Sequence, residues 1–387
     1  MGIRKIAVIT GARADYGLLF PLLKEITRDK QLKLQLVVTG MHLSKEFGLT
    51  YQEIEKDGFR INKKIAILSS SDTPVGISES MGRAVAGFAR AFSELKPDII
   101  VVLGDRFEIF SAVSAAMVAR IPVAHIGGGD SSEGAIDEAM RHSITKMAHL
   151  HFTITKEHRK KVIQLGEDPK HVFNVGAPGL DNIRQTPLLN KNNFQKAIGF
   201  KLGKRNVLVT FHPCTLEDRT AQDQFKNLLS ALDERKDTKV IFTKPNADTN
   251  GRIIIKMIDR YVQKNCLRAV ALTSMGRINY LSALQFVDGV VGNSSSGIVE
   301  APSFRIGTVN IGDRQKGRIK NLSVIDCVPT KESIRKALDR LYTPAFKKVL
   351  RKTHNIYERN GTSRKIKNIL KSYHLKNILK KQFHSVG

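Results

Sequence analysis

Residues 97–130 read "PDIIVVLGDRFEIFSAVSAAMVARIPVAHIGGGD". Two short runs, "IIVVL" and "VAHI", flank "FEIFSAVSAAMVAR", whose apolar residues recur at spacings of three and four. The pattern is strand, crossover helix, strand, the unit of a parallel sheet, because parallel neighbours need a long connection between them. Strands that are apolar without alternation are buried on both faces, so helices must cover both sides of the sheet.

The plan extends in both directions. "KIAVITG", "LQLVVTG", "LHFTITK" and "HVFNVGAPG" are the other strands expected in the first half, with helical patterns such as "LLFPLLKEITRD", "MGRAVAGFARAFSEL" and "IDEAMRHSITKMA" among them. A second series repeats it: "NVLVTFHP", "KVIFTKPNAD", "LRAVALTS", "DGVVGNSSSG" and "IGTVNIGDR". At 387 residues the chain exceeds one ordinary core. The expectation is an α/β protein of two Rossmann-like, doubly wound domains, residues 1–177 and 178–365, followed by a basic helix or tail, 366–387. The break falls in "GAPGLDNIRQTPLLNKNN", residues 176–193, rich in Gly, Pro and Asn.

Composition removes several classes. A hydrophobic content of 41% with 26% charged residues is that of a folded globular chain, and no apolar run approaches the ~20 residues of a membrane span. The opening "MGIRKIAVITG" has too short an apolar run for an export signal, so the reading is cytoplasmic. Cys214, Cys266 and Cys327 are odd in number and lack a CxxC spacing, which indicates neither disulfides nor structural zinc. Much of the net charge of +27 sits in "FKKVLRK" and "TSRKIKNILKSYHLKNILKKQFHSVG". A solvated helix face is the plain explanation, and attraction of small anions is the functional one. Nucleic-acid binding is a third, but an aromatic content of 6% supplies few stacking platforms.

Polar signals gather just after the strands, at "TGARADYG", "TGMH", "GDR", "HIGGGD", "FHPCT", "KPNAD", "GNSSSG" and "GDRQKGR". Ligands of open α/β sheets bind at that edge, and two such edges facing each other would form a cleft. The first turn, "ITGARADYGLL", lacks GxGxxG, and no GxxxxGK[ST] occurs, which argues against dinucleotide and P-loop sites. In "VVGNSSSGIVEA", Gly292 and Gly297 free the backbone and Ser294 and Ser295 can donate to phosphate oxygens. A serine-rich helix cap is the bland alternative. Asp105 follows directly on a strand, where it either opens into the site or caps the next helix. Asp137 and Arg141, four apart, share one helical face, with Glu138 and His142 on the adjoining one, and an ordinary helix ion pair would also explain them.

Together "TGARADYG", "TGMHLSKEFG", "VVLGDRFE", "IDEAMRHSITKMAHLHF", "GNSSSGIVEA" and "IGDRQKGR" resemble the hydrolysing UDP-N-acetylglucosamine 2-epimerases, including the sialic-acid-pathway enzymes. The likeness runs from about residue 4 to about residue 370. It implies a glycosyltransferase-B-like fold, UDP in the interdomain cleft, and a C-terminal helix that crosses back to the first domain. It implies a reaction that removes the C2 proton, expels UDP and hydrates the glycal to a free manno-configured sugar. It requires no cofactor and no metal, and a homo-oligomer, dimer or tetramer, is expected.

The resemblance assigns catalytic roles to Asp105 and Asp137, a supporting role to Arg141, and stabilisation of the departing UDP to His212. It places Arg13, Asp15, His42, Arg106, Asn246 and Asp248 near the nucleotide. Ser294, Ser295 and Arg314 are assigned to the diphosphate and Glu300 to the ribose hydroxyls. One departure matters: where many members have His-Ile-Glu-Gly-Gly-Glu, this chain has "HIGGGD", with Gly127 in place of the usual glutamate. The longer loop that follows carries Glu133, expected here as the replacement carboxylate, with Asp130 as the alternative. Loss of bulk at Gly127 also suggests room for a larger group at C4. A subgroup with the "EGAIDEA.RHSITKM" pattern includes enzymes acting on UDP-N,N′-diacetylbacillosamine in legionaminic acid synthesis, so the expected substrate is that sugar nucleotide or UDP-N-acetylglucosamine. A glycosyltransferase of the same fold would also need a diphosphate site, but not both Asp105 and Asp137.

Overall fold

The structure is a computed structural model that describes residues 2–214, 221–245 and 251–385. The chain forms two compact units. The first comprises Met1–Asp130, Asp137–Gln185 and Tyr357–Gly387, and the second Ser131–Ile136 and Thr186–Ile356. The crossing at Gln185 lies inside the Gly/Pro/Asn-rich stretch but after the expected residue 177, because Pro178–Gln185 pack beneath the first helix. The returning C-terminal segment begins at Tyr357 and not at residue 366.

In the first unit a seven-stranded parallel sheet has the order β3-β2-β1-β4-β5-β6-β7. The strands are β1 (Arg4–Thr10), β2 (Leu32–Thr39), β3 (Ile61–Ile65), β4 (Ile99–Leu103), β5 (Val123–Ile126), β6 (Leu150–Thr153) and β7 (Val172–Asn174). Residues of β1 alternate between two cores: Ile6 and Val8 join one apolar cluster, Ala7 and Ile9 the other. Burial on both faces is why this strand reads as an unbroken apolar run. Four helices of this unit matter below: α1 (Arg13–Arg28), α2 (Phe107–Val118), α3 (Asp137–Met147) and α4 (Thr362–Ser372). Helix α4 lies against α1, with Ile366 and Leu370 fully buried in the same cluster as Leu19 and Leu22.

The second unit has a six-stranded parallel sheet ordered β10-β9-β8-β11-β12-β13. Its strands are β8 (Arg205–Thr210), β9 (Thr238–Thr243), β10 (Ala269–Leu272), β11 (Gly289–Gly292), β12 (Gly307–Ile311) and β13 (Val324–Cys327). Strands β3 and β13 have no counterpart in the sequence reading. Both are sheet edges with partly exposed residues, and "INKKI" and "VIDC" carry charge within the strand where β4, β11 and β12 carry none. Among the described residues no helix is long and apolar enough to cross a membrane.

Candidate active site

Each sheet has one place where the strand order reverses, between β1 and β4 in the first unit and between β8 and β11 in the second. Crevices in open α/β sheets open there, beyond the carboxyl ends of the strands. Arg13, Asp15, Asp105, Arg106, His212, Ser294 and Ser295, singled out from the sequence, fall at these two points.

In the first unit β4 ends at Leu103, and Gly104, at φ +83, turns the chain so that Asp105 stands half-buried at the edge. Arg141, on α3 and almost fully buried, ion-pairs with Asp105 and with Glu138, and donates to the Asp130 carbonyl at 3.1 Å. Burial opposes its charge, but Asp105, Asp130 and Glu138 outweigh that cost and hold the guanidinium protonated. Glu138 also meets His142 Nε2 at 3.0 Å. Asp137 opens α3, half-buried. Beneath the turn, His125 Nε2 lies 2.9 Å from the Gly104 carbonyl, and burial pushes this histidine down to about 3, so the ring is neutral at physiological pH.

On the β1 side the Ala12 N–H donates to Asp15 at 3.1 Å, so this carboxyl caps α1. Asp15 is pushed up to about 7 by burial, against the opposing pull of Arg106 and with Glu108 and Asp105 adding to the rise. Arg106 donates through Nε to Glu108 Oε1 at 2.7 Å, both side chains being buried. Arg13 is half-buried at the start of α1. His42 differs from expectation. It is fully buried, its ring nitrogens 3.0 Å from the Thr10 hydroxyl and 2.8 Å from that of Thr50, and burial holds it near 3. Such a ring braces the turn after β2 and presents no nitrogen to a ligand.

Glu133 is also placed differently. Its segment, Ser131–Ile136, belongs to the second unit, where the Glu133 N–H donates to the Lys316 carbonyl at 3.2 Å and the exposed carboxylate lies 3.7 Å from Lys316 Nζ. Gly134 fits tightly there: a Cβ would come within 2.8 Å of the Asp313 carbonyl oxygen. Asp130, the other candidate, is buried with Oδ1 3.5 Å from His158 Nε2. At Gly127 the φ is +91 and the side-chain direction is open, a Cβ meeting only Gly104 N at 4.0 Å.

In the second unit Asn293 organises the strand ends. Its Oδ1 accepts the His212 N–H at 2.7 Å and its Nδ2 donates to the His212 carbonyl at 2.8 Å, locking the buried histidine after β8. Its own carbonyl accepts from Arg314 Nη1 at 3.1 Å and Gln315 Nε2 at 2.8 Å, which ties in the turn after β12. Three expected site segments thus meet on one asparagine that the sequence reading passed over for its serine neighbours. Gly292, at φ +127, admits this geometry, since a Cβ would stand 2.8 Å from the Thr210 carbonyl carbon. Ser294 and Ser295 are half-buried beside it, and Glu300 follows the single helical turn Ser296–Val299. Asn246 and Asp248 lie outside the described residues. Among the described residues no group of three or more His, Cys, Asp or Glu is placed to hold a metal.

A family model described as UDP-N-acetylglucosamine 2-epimerase matches residues 24–371. The chain belongs to that family. Within this epimerase family, it is 43% identical to a Campylobacter jejuni protein named GDP/UDP-N,N′-diacetylbacillosamine 2-epimerase (hydrolyzing), over 99% of both chains. It is 35% identical to the UDP-N,N′-diacetylbacillosamine 2-epimerase (hydrolyzing) of Legionella pneumophila, over 96% of each. Among solved structures, UDP-GlcNAc 2-epimerase from Neisseria meningitidis bound to UDP-GlcNAc superposes with a TM-score of 0.80, at 16% identity, over 96% of this chain and all of that one. At that identity the likeness is one of fold, two Rossmann-like units of the glycosyltransferase-B-like kind.

Proposed function

We propose that the protein is a hydrolysing 2-epimerase of a nucleotide-linked N-acetylated amino sugar, with UDP-N,N′-diacetylbacillosamine as the preferred substrate class. The observation that carries the reading is Arg141 joining carboxylates from two elements, Asp105 and Glu138, at the reversal point of the first sheet. Elimination followed by hydration needs carboxyl groups that take and return protons, held in fixed places. A glycosyltransferase has no such need, and nothing in the site favours one. The two relatives named for diacetylbacillosamine, and the open space at Gly127, support a sugar with a substituent larger than hydroxyl at C4.

In this reading a carboxylate takes the C2 proton, and the C–H electrons form the C1=C2 bond as the C1–O bond to the diphosphate breaks. Water oxygen then bonds to C1 while a proton returns to C2 on the opposite face, which leaves a free sugar inverted at C2 and UDP. Asp105 and Asp137 share the proton transfers. His212 and Arg314, both tied to Asn293, receive the charge that develops on the leaving diphosphate, aided by Ser294 and Ser295. Glu300 accepts the ribose hydroxyls, and Arg13 and Arg106 contribute positive charge. A cytoplasmic location is part of the proposal, supported by three cysteines that form no disulfide among the described residues, as is a homo-oligomeric state.

The test is incubation with UDP-N,N′-diacetylbacillosamine, its GDP counterpart and UDP-N-acetylglucosamine, each without an acceptor, and NMR of the released sugar. Free nucleotide and a C2-inverted sugar are expected, fastest with the diacetylated UDP substrate. Intact nucleotide sugar in all three reactions overturns the assignment.

A further inference from the structure

Three separate strand ends of the first unit converge on one side chain that the mechanism above does not use. Glu108, in the first turn of α2, is fully buried. Glycine at position 11, after β1, makes room for it: a Cβ there would stand 2.6 Å from Glu108 Oε1 and 2.9 Å from Cδ. Glycine at position 40, after β2, closes the same cradle, with its Cβ direction 3.5 Å from Oε1. The carboxylate accepts from Arg106 Nε at 2.7 Å, while Oε2 has no hydrogen-bond partner among the described residues. Burying a carboxylate with one oxygen unsatisfied is costly, and an apolar side chain of similar size would fill the space without that cost. A charge kept on those terms at the β1/β4 reversal point is used for something.

We infer that Glu108 is a positioning residue for Arg106, and that it sets the plane in which the guanidinium meets a nucleotide diphosphate. A guanidinium gripped at Nε by a fixed carboxylate has its terminal nitrogens oriented by that grip, and fork geometry is what distinguishes Arg from a point charge at phosphate. The glycines of "TGARADYG" and "TGMH" and the glutamate of "GDRFE" then form one device, built from three motifs far apart in sequence. Neither Gly11 nor Gly40 need touch the ligand. Each admits the carboxylate that orients the residue that does.

The inference rests on the proposed reading of a nucleotide-diphosphate site, and the experiment separates the two. UDP affinity is measured by calorimetry for wild type, Glu108→Gln, Arg106→Lys and the double variant. Glu108→Gln should weaken UDP binding roughly ten-fold when Arg106 is present and less than about two-fold when position 106 is lysine, since interacting residues are non-additive. Equal penalties in both backgrounds overturn the inference. Wild-type protein that binds no UDP overturns the proposed function itself. If the variants do not fold, NMR of arginine-labelled wild type decides. A slowly exchanging Nε–H assigned to Arg106, retained on addition of UDP, is the expected signature, and a fast-exchanging Arg106 Nε–H rules out the grip.

Discussion

Arg141, almost fully buried on α3, is in ion-pair contact with Asp105 at the end of β4, 36 residues earlier in the chain. The two roles of this pair can be separated by substitution. Removing the arginine takes the cation from two half-buried carboxylates, whereas amidating the aspartate leaves Arg141 its partners at Glu138 and the Asp130 carbonyl.

Arg141→Ala should therefore destabilise the fold by about 1.5–3 kcal/mol, the usual worth of a charge-assisted contact, since the carboxylates it leaves are half-buried. Asp105→Asn should stay folded and bind UDP, with turnover lower by about a hundredfold or more. Chemical denaturation and single-turnover kinetics check the two halves, and full activity in Asp105→Asn would remove this residue from the chemistry.

His212→Ala and Arg314→Ala should each weaken UDP-sugar binding and turnover by roughly ten- to a hundredfold, the worth of about 1.5–3 kcal/mol for a lost charge-assisted contact. Asn293→Ala should lower both, because it removes the side-chain grip on the His212 backbone, while the main-chain carbonyl that holds the Arg314 turn is kept. Unchanged UDP affinity in a folded Arg314→Ala protein would contradict its assignment to the diphosphate.

Glu133→Gln should leave turnover within about two-fold of wild type, contrary to the expectation drawn from the sequence. The carboxylate is exposed beside Lys316, and exposed pairs are worth about 0–1 kcal/mol. A tenfold loss of turnover at unchanged UDP affinity would restore Glu133 as the replacement carboxylate.

Asp15 links stability to pH. Its carboxyl, pushed from 3.8 up to about 7 by burial, keeps its proton in the folded chain where the unfolded chain has lost it. That contribution is complete below about pH 4 and drains away as pH rises toward 7, with a slope of at most about 1.4 kcal/mol per pH unit. Asp15→Asn should thus gain on wild type through this window and level off above it. His42 and His125, both pushed down to about 3 by burial, act in the opposite sense as pH falls, but are common to both proteins and cancel in the difference. Urea unfolding of the two proteins across the window measures it. A difference that does not change with pH would show that Asp15 ionises normally.

The central strands and the polar turns that follow them were legible because burial on both faces writes an apolar run and a strand end writes Gly, Asp or His into the same short stretch. Asp105, Arg106, His212 and Arg314 were singled out that way, and each stands in the turn after a strand. What escaped was whatever depends on partners distant in sequence. Asn293 matters through His212 and Arg314, and Glu108 through the absent side chains of Gly11 and Gly40. His42 looked like a ligand contact because a histidine after a strand has the right address. Only the two threonine hydroxyls against its ring reveal a buried brace. The edge strands β3 and β13 were missed because partial exposure lets charge replace the apolar signal.

The return of residues 357–387 to the first unit sets an order of assembly on the ribosome. Vectorial synthesis lets an early domain fold while later ones are still being made. Here Leu19 and Leu22 wait for Ile366 and Leu370 to complete their core, so the half translated first is finished last. Until then the nascent chain carries an uncovered α1, and a stop codon anywhere before α4 removes part of the N-terminal half's interior, however complete the second sheet.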